Sequence, residues 1–366
     1  MNHENMRVII IEKSEEINAI TKAIDLLYSE ISSPNPYFSS LWIKIWWKHF
    51  KKNAKARILS IWDRDQKVLL AIWPLHEVKV VSGTALWPML YNVADYFDPL
   101  IHPKNKEEVL ELLLRTYLHE IKNYPYIWTL VLREDFYMNL QLHSDEIKNK
   151  QLLNTTKERL YCEIENTDFN RFLNSKLGTK SQKTLRYTKK KLLEKGKVQF
   201  LDLESPDEIE TCLPILCGIE QSSWKSKEGI GIFAMPGLRA FFFELLPKLA
   251  EKRKVRISVL KLEEETIAYQ LGLLSKDYYG VNCLTYNNNF QQFSPGSHLM
   301  LHTLKRVFEE KRKQYDFMIG DQDYKKKFAT HRSPLYSIHI FQRSIRGWLN
   351  MKTIQANINA RKKASK

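Results

Sequence analysis

The chain has 366 residues, enough for two domains at the usual size of about 100–200 residues each. With 43% hydrophobic and 27% charged residues it reads as a soluble globular protein, and 9 Trp, 17 Tyr and 17 Phe exclude a disordered chain. Gly (12) and Pro (13) are too few for a collagen-like or linker composition, and four cysteines do not make a disulfide framework. No stretch of about 18 uncharged apolar residues offers a transmembrane helix, and Met1–Arg7 is polar, without a signal-peptide core. The expected compartment is the reducing cytoplasm.

The net charge of +15 (57 Lys/Arg against 42 Asp/Glu) is concentrated. Residues 1–150 balance at 19 against 19, whereas Lys176–Lys197 carries nine cations and one acid, and Arg343–Lys366 seven cations and none. Asn350–Lys366 is expected to be a frayed, solvated tail.

In chain order, Arg7–Glu12 reads as a strand and Glu15–Ser29 as a helix, closed by Ser33-Pro34-Asn35-Pro36. Ser39–Phe50 is a tryptophan-rich helix. Arg57–Trp62 and Lys67–Glu77 are strands dense in Ile, Leu, Val and Trp. Glu107–Lys122 places Val109, Leu112, Leu113, Tyr117 and Ile121 on one helical face. Ile127–Leu132 is a strand and Glu134–Leu142 a helix. The polar run Ser144–Glu158 then suggests a domain boundary.

The second half starts with a strand, Leu160–Glu165, and a short helix, Asp168–Asn174. Over Ser181–Lys195, Leu185, Leu192 and Leu193 recur at helical spacing among Lys183, Arg186, Lys189, Lys190 and Lys191, which makes a basic amphipathic helix. Such a face is either solvated or contacts an anion: nucleic acid, anionic lipid or a polyanionic substrate. Then come strand Val198–Leu203, helices Pro206–Trp224 and Gly237–Lys252, and three strands, Val255–Leu262, Glu265–Leu274 and Tyr278–Thr285. Helix Gly296–Lys311 and strands Tyr315–Ile319 and Leu335–Phe341 complete the order. Its first-half counterpart is weaker, and two α/β domains of similar plan account for both.

Several local motifs occur in an order that resembles the tandem-domain branch of the GNAT acyltransferases, the CelD-like acetyltransferases related to Fem-type aminoacyltransferases. They are Ser40-Leu41-Trp42 with Trp46-Trp47, Trp73-Pro74-Leu75, Asp95-Tyr96-Phe97-Asp98-Pro99-Leu100, the basic helix around Thr184-Leu185-Arg186, Ser223-Trp224-Lys225, Phe293-Ser294-Pro295-Gly296-Ser297-His298-Leu299, and Asp316-Phe317 followed by Gly320-Asp321 and Tyr324-Lys325-Lys326-Lys327-Phe328. They span Ser39 to Phe341.

The resemblance implies an α/β (α+β) fold of two GNAT-like domains packed side by side, each a mixed sheet flanked by helices. The expected domains are 1–150 on the acceptor side, 151–345 for acyl-donor binding and catalysis, and a basic tail, 346–366, expected to be disordered. The implied activity is N-acyl transfer from acetyl-CoA or another acyl-CoA to an amine-bearing envelope polysaccharide, lipid or related acceptor. One alternative is a Fem-like aminoacyl transferase using charged tRNA, which the basic helix would contact through Lys183, Arg186, Lys189 and Lys190. Another is a non-catalytic module docked on an anionic membrane or partner, at the inner face of the membrane.

In that frame the strand–loop–helix at Tyr278–Lys311 would grip the pyrophosphate, with Ser294, Gly296, Ser297 and His298 as cofactor-binding residues; read alone, the same residues form an ordinary helix start with a proline turn. Asp321 would be the general base, Tyr324 the proton donor to the leaving thiolate, and Lys325 the holder of phosphate or oxyanion; alternatively an Asp caps a helix over Tyr324–Ala329. Asp95, Tyr96, Trp224 and Lys225 would meet the acceptor, with Asp98 closing a turn. The loop carries less glycine than the common GNAT loop, which suits the Fem-like branch. Cys162, Cys212, Cys217 and Cys283 read as small buried hydrophobes. His298 and His302 have helical spacing but no third ligand, so no metal is expected. There is no nucleophile elbow and no Walker loop.

Overall fold

The computed structural model describes residues 5–52, 54–80, 83–142, 151–164, 168–229, 231–233 and 235–364. The elements in chain order are β1 (Met6–Ile11), α1 (Ser14–Ala19), α2 (Thr21–Glu30), α3 (Ser40–Phe50), β2 (Ile58–Asp63), β3 (Leu69–Trp73), β4 (Leu75–Val80), β5 (Gly83–Pro88), β6 (Leu100–Ile101), α4 (Lys106–Glu120), β7 (Tyr126–Arg133) and α5 (Glu134–Leu142). There follow β8 (Gln151–Glu163), α6 (Phe169–Lys176), α7 (Thr179–Leu193), β9 (Val198–Leu203), α8 (Pro206–Gln221), α9 (Trp224–Glu228), α10 (Pro236–Glu251), β10 (Val255–Leu262), β11 (Glu265–Leu274) and β12 (Tyr278–Tyr286). Last are α11 (Pro295–Glu309), β13 (Gln314–Ile319), α12 (Asp323–Phe328), β14 (His331–Phe341) and α13 (Ile345–Ala364).

Two compact units result, 1–157 with 334–366, and 158–333. The chain enters the second within β8 and leaves it within β14. This differs from the expected domains: the boundary falls seven residues later than 150, and the segment after 333 belongs with the first unit. Part of the expected linker, residues 144–150, lies outside the described residues; from Gln151 the linker is already strand β8.

In the first unit β1, β2, β3 and β6 form one antiparallel sheet. β4 pairs antiparallel with β5, β5 parallel with β7, and β7 antiparallel with β14. The single strand expected over Lys67–Glu77 is thus two, and Pro74 separates them: it has no N–H to donate to a ladder. Trp42, Trp46, Trp73, Tyr37 and Phe38 are buried in the core. The indole Trp73 Nε1 donates to the Phe97 carbonyl at 2.9 Å. The tail does not fray as expected. α13 forms because Met351 and Ile354 pack on the Ala85, Tyr126 and Phe341 cluster, and Asn350 is buried.

In the second unit the strand order is β8-β13-β12-β11-β10-β9, antiparallel except for the parallel β13–β12 pair. Adjacent side chains of β11 point to opposite faces. Tyr269 hydrogen-bonds Glu220 of α8, while Gln270 bonds Thr303 of α11, so α8 and α11 cover the two faces. Gln270 Nε2 also reaches the hydroxyls of Tyr279 and Tyr315, both at 3.0 Å, tying β11, β12 and β13 to α11 in one buried network.

Candidate active site

Two irregularities of β12 build the site. Its pairing with β13 stops at Gly280↔Asp316, although β12 continues from Val281 to Tyr286. The two strands part there, and β12 keeps an edge that β13 does not pair. Against β11, Leu271 faces Cys283 and Gly272 faces Val281, so Asn282 is a bulge residue. The bulge reverses the alternation: Val281 packs with Met300 and Leu304 of α11, whereas Cys283 turns to the α8 face and meets Tyr269 and Glu220.

Asp316 anchors the point of divergence. Its buried carboxylate accepts from Arg159 Nε (2.8 Å), the Tyr278 hydroxyl (2.9 Å) and the Met318 N–H (2.8 Å). Arg159 also donates to Gln314 (2.9 Å) and lies over the Tyr161 ring at 4.4 Å.

Around Cys283 the structure gathers residues that are far apart in sequence. The expected helix Pro206–Trp224 ends early, at Gln221, because Ser222 and Ser223 turn their hydroxyls back on carbonyls of α8. Ser223 then caps α9 and delivers Lys225, whose Nζ lies 2.9 Å from Cys283 Sγ. Glu220 is buried and accepts from Ile232 N–H (3.1 Å), Phe233 N–H (2.9 Å) and Tyr269 hydroxyl (2.8 Å). Burial is the main cause that pushes the Cys283 thiol up, opposed by the Lys225 ammonium, so the thiol keeps its proton. Tyr324, on α12, packs against the core from the end of β13. Burial foremost, and then the proximity of Cys283, raises its hydroxyl well above the ordinary 10.

Of the expected catalytic residues, Tyr324 packs against the cluster of Met300 and Leu304 and lies near enough to Cys283 to feel its charge. Asp321 does not join it: its side chain is 75% exposed and makes a 3.5 Å contact with Lys326. Lys325 differs from the expectation that it holds phosphate or an oxyanion. It is buried and donates to the Ile319 carbonyl at 2.7 Å, fixing α12 to the end of β13. Trp224 is partly exposed at the first turn of α9.

At the start of α11, Ser294 takes a left-handed conformation (φ 53°) and makes no side-chain cap; its carbonyl accepts from the N–H groups of Ser297 (3.0 Å) and His298 (3.2 Å). A Cβ on Gly296 would stand 3.1 Å from the Tyr286 ring, so glycine lets the helix start close against the end of β12. His298 is turned inward, 3.0 Å from Thr188 Oγ1, and burial foremost, with the Lys189 ammonium next, pushes its imidazole down to about 4. His302 instead faces Asp202 at 3.3 Å, so the two histidines do not converge. Both line a cavity of about 470 Å³ between α6, α7, β9 and α11. Leu173, Leu185 and Leu301 line it too; Arg186, Lys189 and Lys305 supply charge, and none of its lining residues is acidic. Lys183 and Lys190 lie elsewhere on the exposed face of α7.

In the first unit Tyr96 is 2% exposed, in the core beside Tyr37, and Asp95 is half-buried. Asp98 does more than close a turn: its buried carboxylate accepts from Arg133 N–H (2.6 Å) and Nε (2.7 Å). Sequence reasoning gave Cys283 only as a small buried hydrophobe, which it is, and did not single out Glu220 and Tyr269. Glu220 lies one helical turn before Ser223-Trp224-Lys225, and a carboxylate on the apolar side of α8 was the available signal.

Residues 179–326 match the model of the acetyltransferase (GNAT) domain. The fold of the chain is that of solved structures at low sequence identity. One is the C-terminal domain of a putative lysylphosphatidylglycerol synthetase from Agrobacterium fabrum (10% identity, 93% of this chain and 96% of that one, TM-score 0.58). Others are FemX (13%, 90% and 96%, 0.57) and a conserved protein of unknown function from Bacteroides thetaiotaomicron (10%, 91% and 100%, 0.55). Comparison with curated proteins gives no significant match. The class is thus set as far as the match reaches: a mixed α/β chain in which α7 to α12 match a GNAT acetyltransferase domain.

Proposed function

We propose that the chain is an N-acyltransferase whose reaction centre is the opening between β12 and β13. The observation that carries this reading is the Lys225 ammonium on Cys283 where β12 leaves β13, with Tyr324 close enough to feel the thiol's charge. The donor is an acyl-CoA. Its pantetheine arm is an extended chain bearing amides, which an open strand edge can bind as it would another strand. Ser294, Ser297 and the Gly296 N–H are the groups at the start of α11 for its pyrophosphate.

The acceptor nitrogen attacks the thioester carbon, the C–N bond forms and the C–S bond breaks. The Lys225 ammonium offsets charge developing on the carbonyl oxygen. Tyr324, which keeps its proton, passes it to the departing sulfur. Asp321, outside the group at Cys283 and open to solvent three residues earlier, takes the proton of the incoming amine through water. The acceptor class is the one the CelD-like resemblance implies, an amine-bearing envelope polysaccharide, lipid or related small molecule, with Asp95 and Tyr96 as candidate contacts.

A second reading, aminoacyl transfer from charged tRNA, is favoured by one observation. Pro295 has no N–H and those of Ser297 and His298 are taken by Ser294, so the start of α11 offers few donors to a pyrophosphate. Lys183, Arg186, Lys189 and Lys190 would then contact the RNA backbone.

A thermal-shift titration with CoA species and uncharged tRNA, followed by a thiol-release assay, separates the readings. Saturable stabilisation by CoA, with turnover that falls about 10²-fold or more in Tyr324→Phe, supports acyl-CoA transfer. A response to tRNA alone, lost with salt and in Lys183→Glu/Lys190→Glu, moves the chain to the second reading. Binding of neither, with no turnover, sinks catalysis and leaves a binding module.

A further inference from the structure

α13 has two faces. Gly347, Asn350, Met351 and Ile354 lie on the packed side, toward the first unit's core. On the opposite side Ile345, Trp348 and Leu349, spaced i, i+3 and i+4, form one stripe, and they are 81%, 50% and 41% exposed. Lys352 continues the same stripe one turn on, its Nζ 5.8 Å from the Trp348 ring centre. Arg343 and Arg346 flank it and are exposed. From Arg343 to Lys366 the sequence has seven cations and no acid.

An isoleucine, a tryptophan and a leucine left in water side by side need a partner, and the charge decides which one. A second copy of this face would set the cations of α13 against each other, and the helix has no carboxylate to answer them. A nucleic acid would use the cations but leave the aliphatic side chains of Ile345 and Leu349 without a role. A bilayer of anionic lipids uses both: the acyl boundary takes the apolar stripe, the indole sits at headgroup level, and the lipid phosphates face Arg343, Arg346 and Lys352. We propose that α13 is an interfacial helix that docks the protein on an anionic membrane surface. This stands apart from the transferase reading, since docking and turnover on a soluble acceptor can each fail alone.

The test is flotation of the full chain with vesicles of phosphatidylcholine, with and without phosphatidylglycerol. Binding is expected only to the anionic vesicles and should weaken about tenfold or more in Ile345→Ser/Trp348→Ser, a change confined to exposed positions. Acyl-chain-brominated lipid should quench tryptophan fluorescence in the wild type, and Trp348→Phe should remove that quenching while the melting temperature stays put. Vesicle binding that ignores Ile345→Ser/Trp348→Ser and shows no bromine quenching overturns the proposal, because charge elsewhere then does the work. It is equally overturned if light scattering finds a dimer that the same double variant dissolves, or if the face binds RNA and not vesicles.

Discussion

Asp316 and Arg159 carry opposite charges out of water at the point where β12 and β13 part. Such a pair adds little over an apolar one, but removal of one partner strands the other's charge, at a cost of about 3–5 kcal/mol. Asp316→Ala should therefore lower the unfolding free energy by about that much in a urea titration, with Arg159→Met/Asp316→Leu recovering most of it. Cys283 sits differently. Its thiol is buried and protonated beside an ammonium, so its part is to fill the space that sets Lys225 and Tyr269. Asp321 is the residue on which the mechanism can be tested from the surface. Asp321→Asn should lower kcat by about 10²-fold if the carboxylate takes the amine proton, with the melting temperature unchanged; unchanged turnover assigns that proton to water.

Among the elements, β12 decides the site. A regular strand would put residues 281 and 283 on one face; Asn282 puts them on opposite faces. Deletion of Asn282 sets Val281 beside Cys283, so ordinary alternation keeps the thiol on the α8 face while β12 loses its local kink and twist; turnover should fall, with a melting temperature that falls less than activity does. Activity close to that of the wild type would show that the bulge does not build the site. α8 and α9 supply the other half. The break at Ser222-Ser223 turns a helix that would have run past the sheet into one that brings Lys225 onto it. α12 shows how a side chain serves position without touching substrate: Lys325, buried on the Ile319 carbonyl, holds the helix from which Tyr324 reaches inward.

On the scale of the whole molecule, buried imidazoles set the response to acid. Burial pushes His76 and His339 in the first unit down to about 4, and burial with the Lys189 charge does the same to His298 in the second. Each is neutral when folded and titrates near 6.5 when unfolded, so below 6.5 the unfolded chain binds the proton more readily. Stability is complete above pH 6.5 and falls as pH drops toward 4, by up to about 3 kcal/mol for each histidine. Urea midpoints measured from pH 7.5 to 4 should show that decline, and His298→Asn should flatten part of it. A midpoint flat across that window would mean that the three rings reach water.

The sequence by itself determined the local order of the chain. β9, β10, β11 and α5 run between the residues that hydrophobic periodicity marks, because period and turn chemistry are properties of neighbours in sequence. It also determined the mixed α/β class with helices on the sheets, and the clustering of charge on α7 and after Arg343. Tertiary structure decided the rest. The split of β3 from β4 at Pro74, the helical α13 and the passage of the chain back into the first unit within β14 depend on which surfaces meet. The contacts of Lys225 and Glu220 with Cys283 span 58 and 63 residues. The bulge that aims the thiol exists only against the register of a partner strand, and no pattern along one strand records that register.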